Sequence, residues 1–220
     1  DGSVTGLPDS YAMMVNANVH KLTFSTHGLE KFVKGWAPSV NLDLDKFCKG
    51  ERLTFRGRAS GPLNRLHAHG TMHTDFGKAD LNVTLRNVID PNRPLEIGGS
   101  ASTERLDIGR IMAGIPVGEC DMRTGLNATF AKDSLGIVID SLYVDGLDVL
   151  GYKYSNIAAV GTFSQDAFDG RIVCSDPNLN FLFQGIFSLS SKTKNALYQF
   201  YANLGYADLH ALNIDKRGVS

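Results

Sequence analysis

The densest set of side chains able to do chemistry is Leu66-His67-Ala68-His69-Gly70-Thr71-Met72-His73. Side chains alternate faces along a strand, so His67, His69 and His73 share one face, with Asp75 at the same parity. Imidazoles at such positions can chelate a metal, and the set would serve a metal-assisted hydrolase. The same residues also read as the solvent face of a strand whose other side carries Leu66, Ala68 and Met72. A catalytic metal further needs outer-shell hydrogen bonds that the sequence does not place. No metal is therefore assigned, and His67, His69 and His73 stand only as candidate ligands.

The remaining reactive types have weaker contexts. Asp43 and Asp45 sit two apart on the polar side of a strand pattern, whereas glycosidase carboxylates come from different elements facing a cleft. Ser60-Gly61 and Ser100 lack the GxSxG turn of a serine nucleophile. Gly98-Gly99 lacks the helix start needed to cradle phosphate. Asn82-Val83-Thr84 and Asn127-Ala128-Thr129 fit a glycosylation sequon, a pattern common by chance. Cys48, Cys120 and Cys174 are widely spaced, odd in number and without a CxxC pair, so they read as small buried thiols. No catalytic residue and no cofactor is assigned, and the chain reads as a non-enzyme.

The elements that would position any site are strands. Between Gly151 and Ser190, three apolar-alternating runs are joined by two turn signals, Ser164-Gln165-Asp166 and Ser175-Asp176-Pro177-Asn178. Period-two alternation bounded by such turns predicts a β-meander. Upstream, Met13, Val15, Ala17 and Val19 alternate, then the parity slips before Leu22 and Phe24, which predicts a bulge near Lys21. Leu29, Phe32, Val33 and Trp36 have helical spacing and end at Pro38, while Val40, Leu42 and Leu44 read as a strand. Leu126-Ala128-Phe130, Leu135-Ile137-Ile139 and Leu142-Val144 read as further strands, and Tyr198, Phe200, Ala202, Leu204 and Tyr206 as the aromatic side of the last long one. Short helical turns are expected at Leu106–Ile115, stopped by Pro116, and after a capping Asp208, with Leu212 on its apolar face.

One pattern recurs in five copies: apolar, any, apolar, any, Gly, any, apolar or small. The copies are Leu53-Phe55-Gly57-Ala59, Leu66-Ala68-Gly70-Met72, Leu95-Ile97-Gly99-Ala101, Ile157-Ala159-Gly161-Phe163 and Phe181-Phe183-Gly185-Phe187. A glycine inside a strand weakens it, so its recurrence asks for a cause: a bulge, a bend or a close backbone approach. Strands kinked at corresponding points would curl a sheet into a trough or barrel.

Composition bounds the rest. The 220 residues fit one domain spanning 1–220, with 1–10 a loose lead-in. At 43% hydrophobic and 20% charged, the chain can bury a sizeable core. A net charge of -1, from Lys+Arg 22 against Asp+Glu 23, gives no reason to expect nucleic acid. No run approaches the ~18 apolar residues of a membrane helix, and the start at Asp1 without a leader reads as a mature form or an excised piece of something longer.

Over Gly151–Ile214 the residues resemble the TamB (translocation and assembly module) family of the AsmA-like superfamily, in its Bacteroidetes form. The matching motifs are the Gly-Tyr-x-Tyr-x-Asn strand (Gly151 to Asn156), the Phe-x-Gly turn (Phe168 to Gly170), the Asp-Pro-Asn-Leu turn (Asp176 to Leu179), the Gly-bearing strand Phe181 to Gly185, and the closing Ala207 to Asn213. LDIGRIMAGIP, from Leu106 to Pro116, fits the family layout upstream. The resemblance implies a mainly β fold, a curled antiparallel sheet forming a U-shaped groove with a few short helices. It also implies a periplasmic, cell-envelope protein, anchored in the inner membrane through a segment not in this chain, that passes phospholipid toward the outer membrane. Its implied partners are phospholipid acyl chains and, through regions outside this chain, an outer-membrane insertase. On that reading the groove lining is Phe55, Ile97, Ile157, Phe163, Phe181, Phe183, Phe187, Phe200 and Leu204. The alternative is a closed β-sandwich with a dry core, serving as an adhesion or carbohydrate-binding module. Val160, Val173, Leu182 and Ile186 make the opposite face partly apolar too, which leaves open a two-sided burial under the short helices.

Overall fold

Extended segments satisfy their backbone N–H and C=O groups by pairing laterally, and the described strands pair almost entirely with their sequential neighbours. The structure is a computed structural model describing residues 1–25, 27, 28, 31, 52–90, 92–111, 116–131, 134–164, 167–188 and 197–215. Of these residues 75% lie in strands and 3% in helix, which makes the fold all-β. The strands are β1 (Gly2–Thr5), β2 (Met14–Ser25), β3 (Arg52–Pro62), β4 (Arg65–Thr74), β5 (Gly77–Arg86), β6 (Leu95–Glu104) and β7 (Leu106–Asp107). They continue as β8 (Val117–Ala131), β9 (Ser134–Val149), β10 (Tyr152–Tyr154), β11 (Ile157–Ser164), β12 (Ala167–Asp176), β13 (Leu179–Ser188) and β14 (Tyr198–Ala207).

Among the described residues these form one antiparallel sheet of 14 strands that does not close into a barrel. The order is β1-β2-β3-β4-β5-β6-β8-β9-β11-β12-β13-β14, with β7 on β8 and β10 on β9. Two-residue connections such as Leu63-Asn64 and Pro177-Asn178 leave no room for anything but antiparallel neighbours. The described strands thus make a single sheet.

Core residues are correspondingly few. Among the described residues the buried apolar side chains are Leu53, Leu63, Phe76, Ala79, Leu95, Cys120, Ala128, Val144, Ala159, Cys174 and Leu212. Around Leu95 pack Val88, Ile97 and Phe130, a small local cluster and not a layer between two sheets.

The slip before Leu22 is a bulge, since the β2–β3 register shifts between Val19 and Leu22. Other boundaries differ from expectation. Gly2–Thr5, read as loose lead-in, pairs along β2 from Gly2↔Ala17 to Thr5↔Met14. Leu135-Ile137-Ile139 and Leu142-Val144 belong to one strand, β9. Its register with β8 passes from Leu126↔Ile139 to Gly125↔Ser141, so Asp140 is an extra residue that carries the parity slip without breaking the strand. Leu106 pairs in β7, the helical turn among the described residues is Ile108–Ile111, and 112–115 lie outside them. Asp208 accepts from the His210 and Ala211 amides, but only a turn follows, closed over the buried Leu212. The helix expected at Leu29–Trp36, the strand at Val40–Leu44, Asp43, Asp45 and Cys48 lie outside the described residues.

Candidate functional site

Residues directly opposite in an antiparallel ladder share a face, so the register fixes where each expected lining residue lies. One row runs Ile137–Phe163–Phe168–Phe187–Tyr198 across β9, β11, β12, β13 and β14. The next rows on that face run Ile139–Gly161–Gly170–Gly185–Phe200, Leu142–Ala159–Ile172–Phe183–Ala202 and Val144–Ile157–Cys174–Phe181–Leu204. The face continues through β8 to Ile97, since Ile137 lies opposite Ala128 and Ala128 opposite Ile97. Beyond that, Ala101–Leu81–Gly70–Gly57 and Ala79–Met72–Phe55 carry it to β3. All nine residues named on sequence therefore fall on one face of the sheet.

They are not all in one place. The hollow in this face, about 520 Å³, is lined by Ile137, Ile139, Phe163, Phe168, Ile172, Phe181, Phe183 and Phe187. Phe163, Phe181, Phe183 and Phe187 were expected there. Phe200 stacks against Phe183 with ring centroids 5.3 Å apart, and Leu204 stands opposite Phe181, 60% exposed. Ile157 lies at the end of the hollow opposite Cys174. Phe55 and Ile97 are elsewhere on the face, Ile97 in the Leu95 cluster. Ile137, Ile139, Phe168 and Ile172 were missed as lining. Each is alternating and apolar in sequence, but only the cross-strand register puts it beside the others.

The recurrent glycines account for the floor. A Cβ at Gly57 or at Gly70 would meet the Phe55 ring at 2.8 Å, and one at Gly161 or Gly170 would meet the Phe168 ring at 3.0 or 2.6 Å. In each case an aromatic ring occupies the space that two paired glycines leave empty, which protects their backbone and smooths the face. Gly161 and Gly185 also have φ of 155° and 137°, backbone that L side chains rarely adopt. The aromatic contacts then run on across strands: Phe168–Phe183 at 6.2 Å, Phe187–Phe200 at 6.4 Å and Phe187–Tyr198 at 5.4 Å.

Gly205 is an extra residue in β14, because Asn180 pairs with Tyr206 and Phe181 with Leu204. It turns Tyr206 to the opposite face, so the aromatic side expected from Tyr198 to Tyr206 ends at Leu204. That opposite face is polar over β2 to β9, with cross-strand ion pairs such as Lys78–Glu104 at 3.5 Å and Arg123–Asp145 at 3.1 Å. Over β11 to β13 it carries Val160, Val173, Leu182 and Ile186; Val160 is 46% exposed.

A buried carboxylate stands at the turn between β12 and β13. Asp176 is buried and accepts from the Tyr152 hydroxyl (2.5 Å), the Ser155 amide (2.8 Å) and hydroxyl (2.9 Å), and the Asn178 amide (2.9 Å). Burial pushes this carboxyl up, but those donors outweigh it and hold the group below the usual carboxylate range. The Gly-Tyr-x-Tyr-x-Asn stretch and the Asp-Pro-Asn-Leu turn thus meet in space around one carboxylate. Cys120 and Cys174 are buried on the apolar face; burial pushes the Cys120 thiol up to about 11 and the Cys174 thiol up as well.

The histidines do not converge. His67, His69 and His73 do share the outer face of β4, but alternate residues stand roughly 6.6 Å apart along a strand, and each faces different neighbours. His67 Nε2 lies 2.8 Å from Asn82 Oδ1, His69 is opposite Arg58, and His73 is opposite Lys78. Cations beside the ring disfavour a metal ion. Among the described residues no group of three or more His, Cys, Asp or Glu side chains is placed to hold one. No described helix is long and apolar enough to cross a membrane. No family model, no curated protein and no solved structure matches the chain.

Proposed function

We propose that this chain is a non-enzymatic, lipid-handling groove segment of a TamB/AsmA-like envelope protein, taking phospholipid acyl chains on its apolar face. The observation that carries the reading is the continuity of that face: twelve laterally paired strands present it on one side, and its hollow of about 520 Å³ is lined by Ile and Phe. A monomer that leaves a large apolar patch open without ligand or partner is unusual. Phe200 and Leu204, at 50% and 60% exposure, are where such a patch meets solvent.

The physics of the proposed activity is burial without directional bonds. Each methylene moved from water onto the Phe/Ile floor gains about 0.8 kcal/mol, and nothing in the lining discriminates one position along the chain from the next. An acyl tail would be held yet free to slide, while the headgroup stays at the wet edge of the sheet. Replacing Phe183 by Asp, or Phe187 by Arg, puts an unpaired charge on the floor, which is costly to desolvate. Capture of a fluorescent phospholipid should fall at least about tenfold in either variant, while Thr162→Asp on the outer face leaves it unchanged. Undiminished capture in both floor variants would refute the reading.

A further inference from the structure

The outer face has a hollow of its own. It spans β4, β5, β6, β8 and β9, with a volume of about 480 Å³. Two neighbouring cross-strand rows build it. The first is His69–Asn82–Ser100–Gly125–Ser141, and the second Thr71–Asp80–Ser102–Arg123–Tyr143. Small residues in mid-row make the floor, and β9 carries two extra residues, Asp140 and Asp145, flanking Ser141 and Tyr143.

The chemistry of this trough is polar and neutral. Its one carboxylate, Asp80, is answered by the Thr71 hydroxyl at 2.5 Å and Lys78 at 3.3 Å. Its one guanidinium, Arg123, is answered by Asp145 at 3.1 Å. Neither charge is left over for an ionic ligand. By contrast, among the described residues the hydroxyls of Ser100, Ser102, Ser141 and Tyr143 have no partner within the chain. Asn82 spends its Oδ1 on His67 and keeps its amide donors. The Tyr143 ring is 54% exposed and forms a flat apolar surface beside these groups. Ser100 and Ser141 in the first row, and Ser102 and Tyr143 in the second, stand two strands apart, about 9.6 Å across the floor.

From this we infer that the trough is a binding site for a neutral saccharide, its hydroxyls exchanging hydrogen bonds with Ser100, Ser102 and Ser141 and one ring face stacking on Tyr143. The inference is independent of the apolar face, which lies on the other side of the sheet.

The test is titration of the purified chain with cellohexaose, chitohexaose and maltohexaose, and with oligogalacturonate as the charged comparison, read by calorimetry and by amide chemical shifts. At least one neutral sugar should bind, with shifts concentrated on the outer side of β5 to β9. Tyr143→Ala and Ser102→Leu should each weaken it at least about tenfold, whereas Tyr143→Phe retains it and Phe183→Asp leaves it unchanged. The wild-type shift map makes the result independent of whether a variant folds. No binding of any neutral sugar, binding of oligogalacturonate alone, or shifts confined to the apolar face would overturn it.

Discussion

Asp176 joins two chain segments 21 residues apart through a single buried carboxylate. Because its folded pKa is lowered, its contribution is present above the unfolded value, about 3.9, and is lost as pH falls through the lower folded value. Asp176→Ala should therefore lose about 2–4 kcal/mol at neutral pH in urea unfolding, with the gap to wild type narrowing below pH ~4. A constant gap across that range would contradict the charged role assigned here. The turn residues Asp176-Pro177-Asn178 were legible as a turn from their types alone. The lock was not, because Tyr152 and Ser155 reach it only once β10 folds back onto β9. Cys120 and Cys174 make a second residue-scale case. With their thiols pushed up and buried, both should resist a thiol reagent in the native chain and react promptly in denaturant, measured in a Cys48→Ser variant. Rapid native labelling would show that the sheet opens there.

Strands were the most legible level, and their failures share one physical origin. Alternation marks a face only while the parity holds, and a bulge shifts parity without ending a strand. At Lys21 the slip was read correctly as a bulge; at Asp140 it separated Leu135-Ile137-Ile139 from Leu142-Val144, which were read as two strands. Gly2–Thr5 carries only one large apolar residue, Val4, so its pairing was invisible in composition. β5 lacks the recurrent glycine and went unrecognised, although Ala79, Leu81, Val83 and Leu85 alternate cleanly. The glycine repeat itself was read as a curling device, and its packing logic, a Phe ring laid over a cross-strand glycine pair, needed the register. At Gly57 a Cβ would strike the His69 carbonyl and come within 2.6 Å of the Gly70 Cα, so Gly57→Ala should destabilise by about 1–3 kcal/mol in thermal or urea unfolding. Gly136, with nothing within 4 Å of a Cβ, is the control: Gly136→Ala should be neutral or stabilise by up to ~1 kcal/mol. Equal effects at the two sites would mean that close approach is not what the repeat serves.

At the scale of the whole molecule, the described residues form one sheet with two faces of different character and no second layer to hide either. The sequence pointed to a common face for Phe55 through Leu204, yet could not distinguish a dry sandwich core from an open floor, because alternation is the same in both. Among the described residues the edges β1 and β14 are not paired with each other, so the sheet is not a closed barrel, and Phe187, Phe200 and Leu204 are exposed. The central claim is that acyl chains occupy this floor. The most direct measurement is photo-crosslinking with a phospholipid carrying a diazirine on its acyl chain, with labelled residues located by mass spectrometry. The account predicts adducts on Phe163, Ile172, Phe181, Phe183 and Phe187, lost in the Phe183→Asp variant. Adducts spread equally over Val160, Val173, Leu182 and Ile186, or none above background, would contradict it.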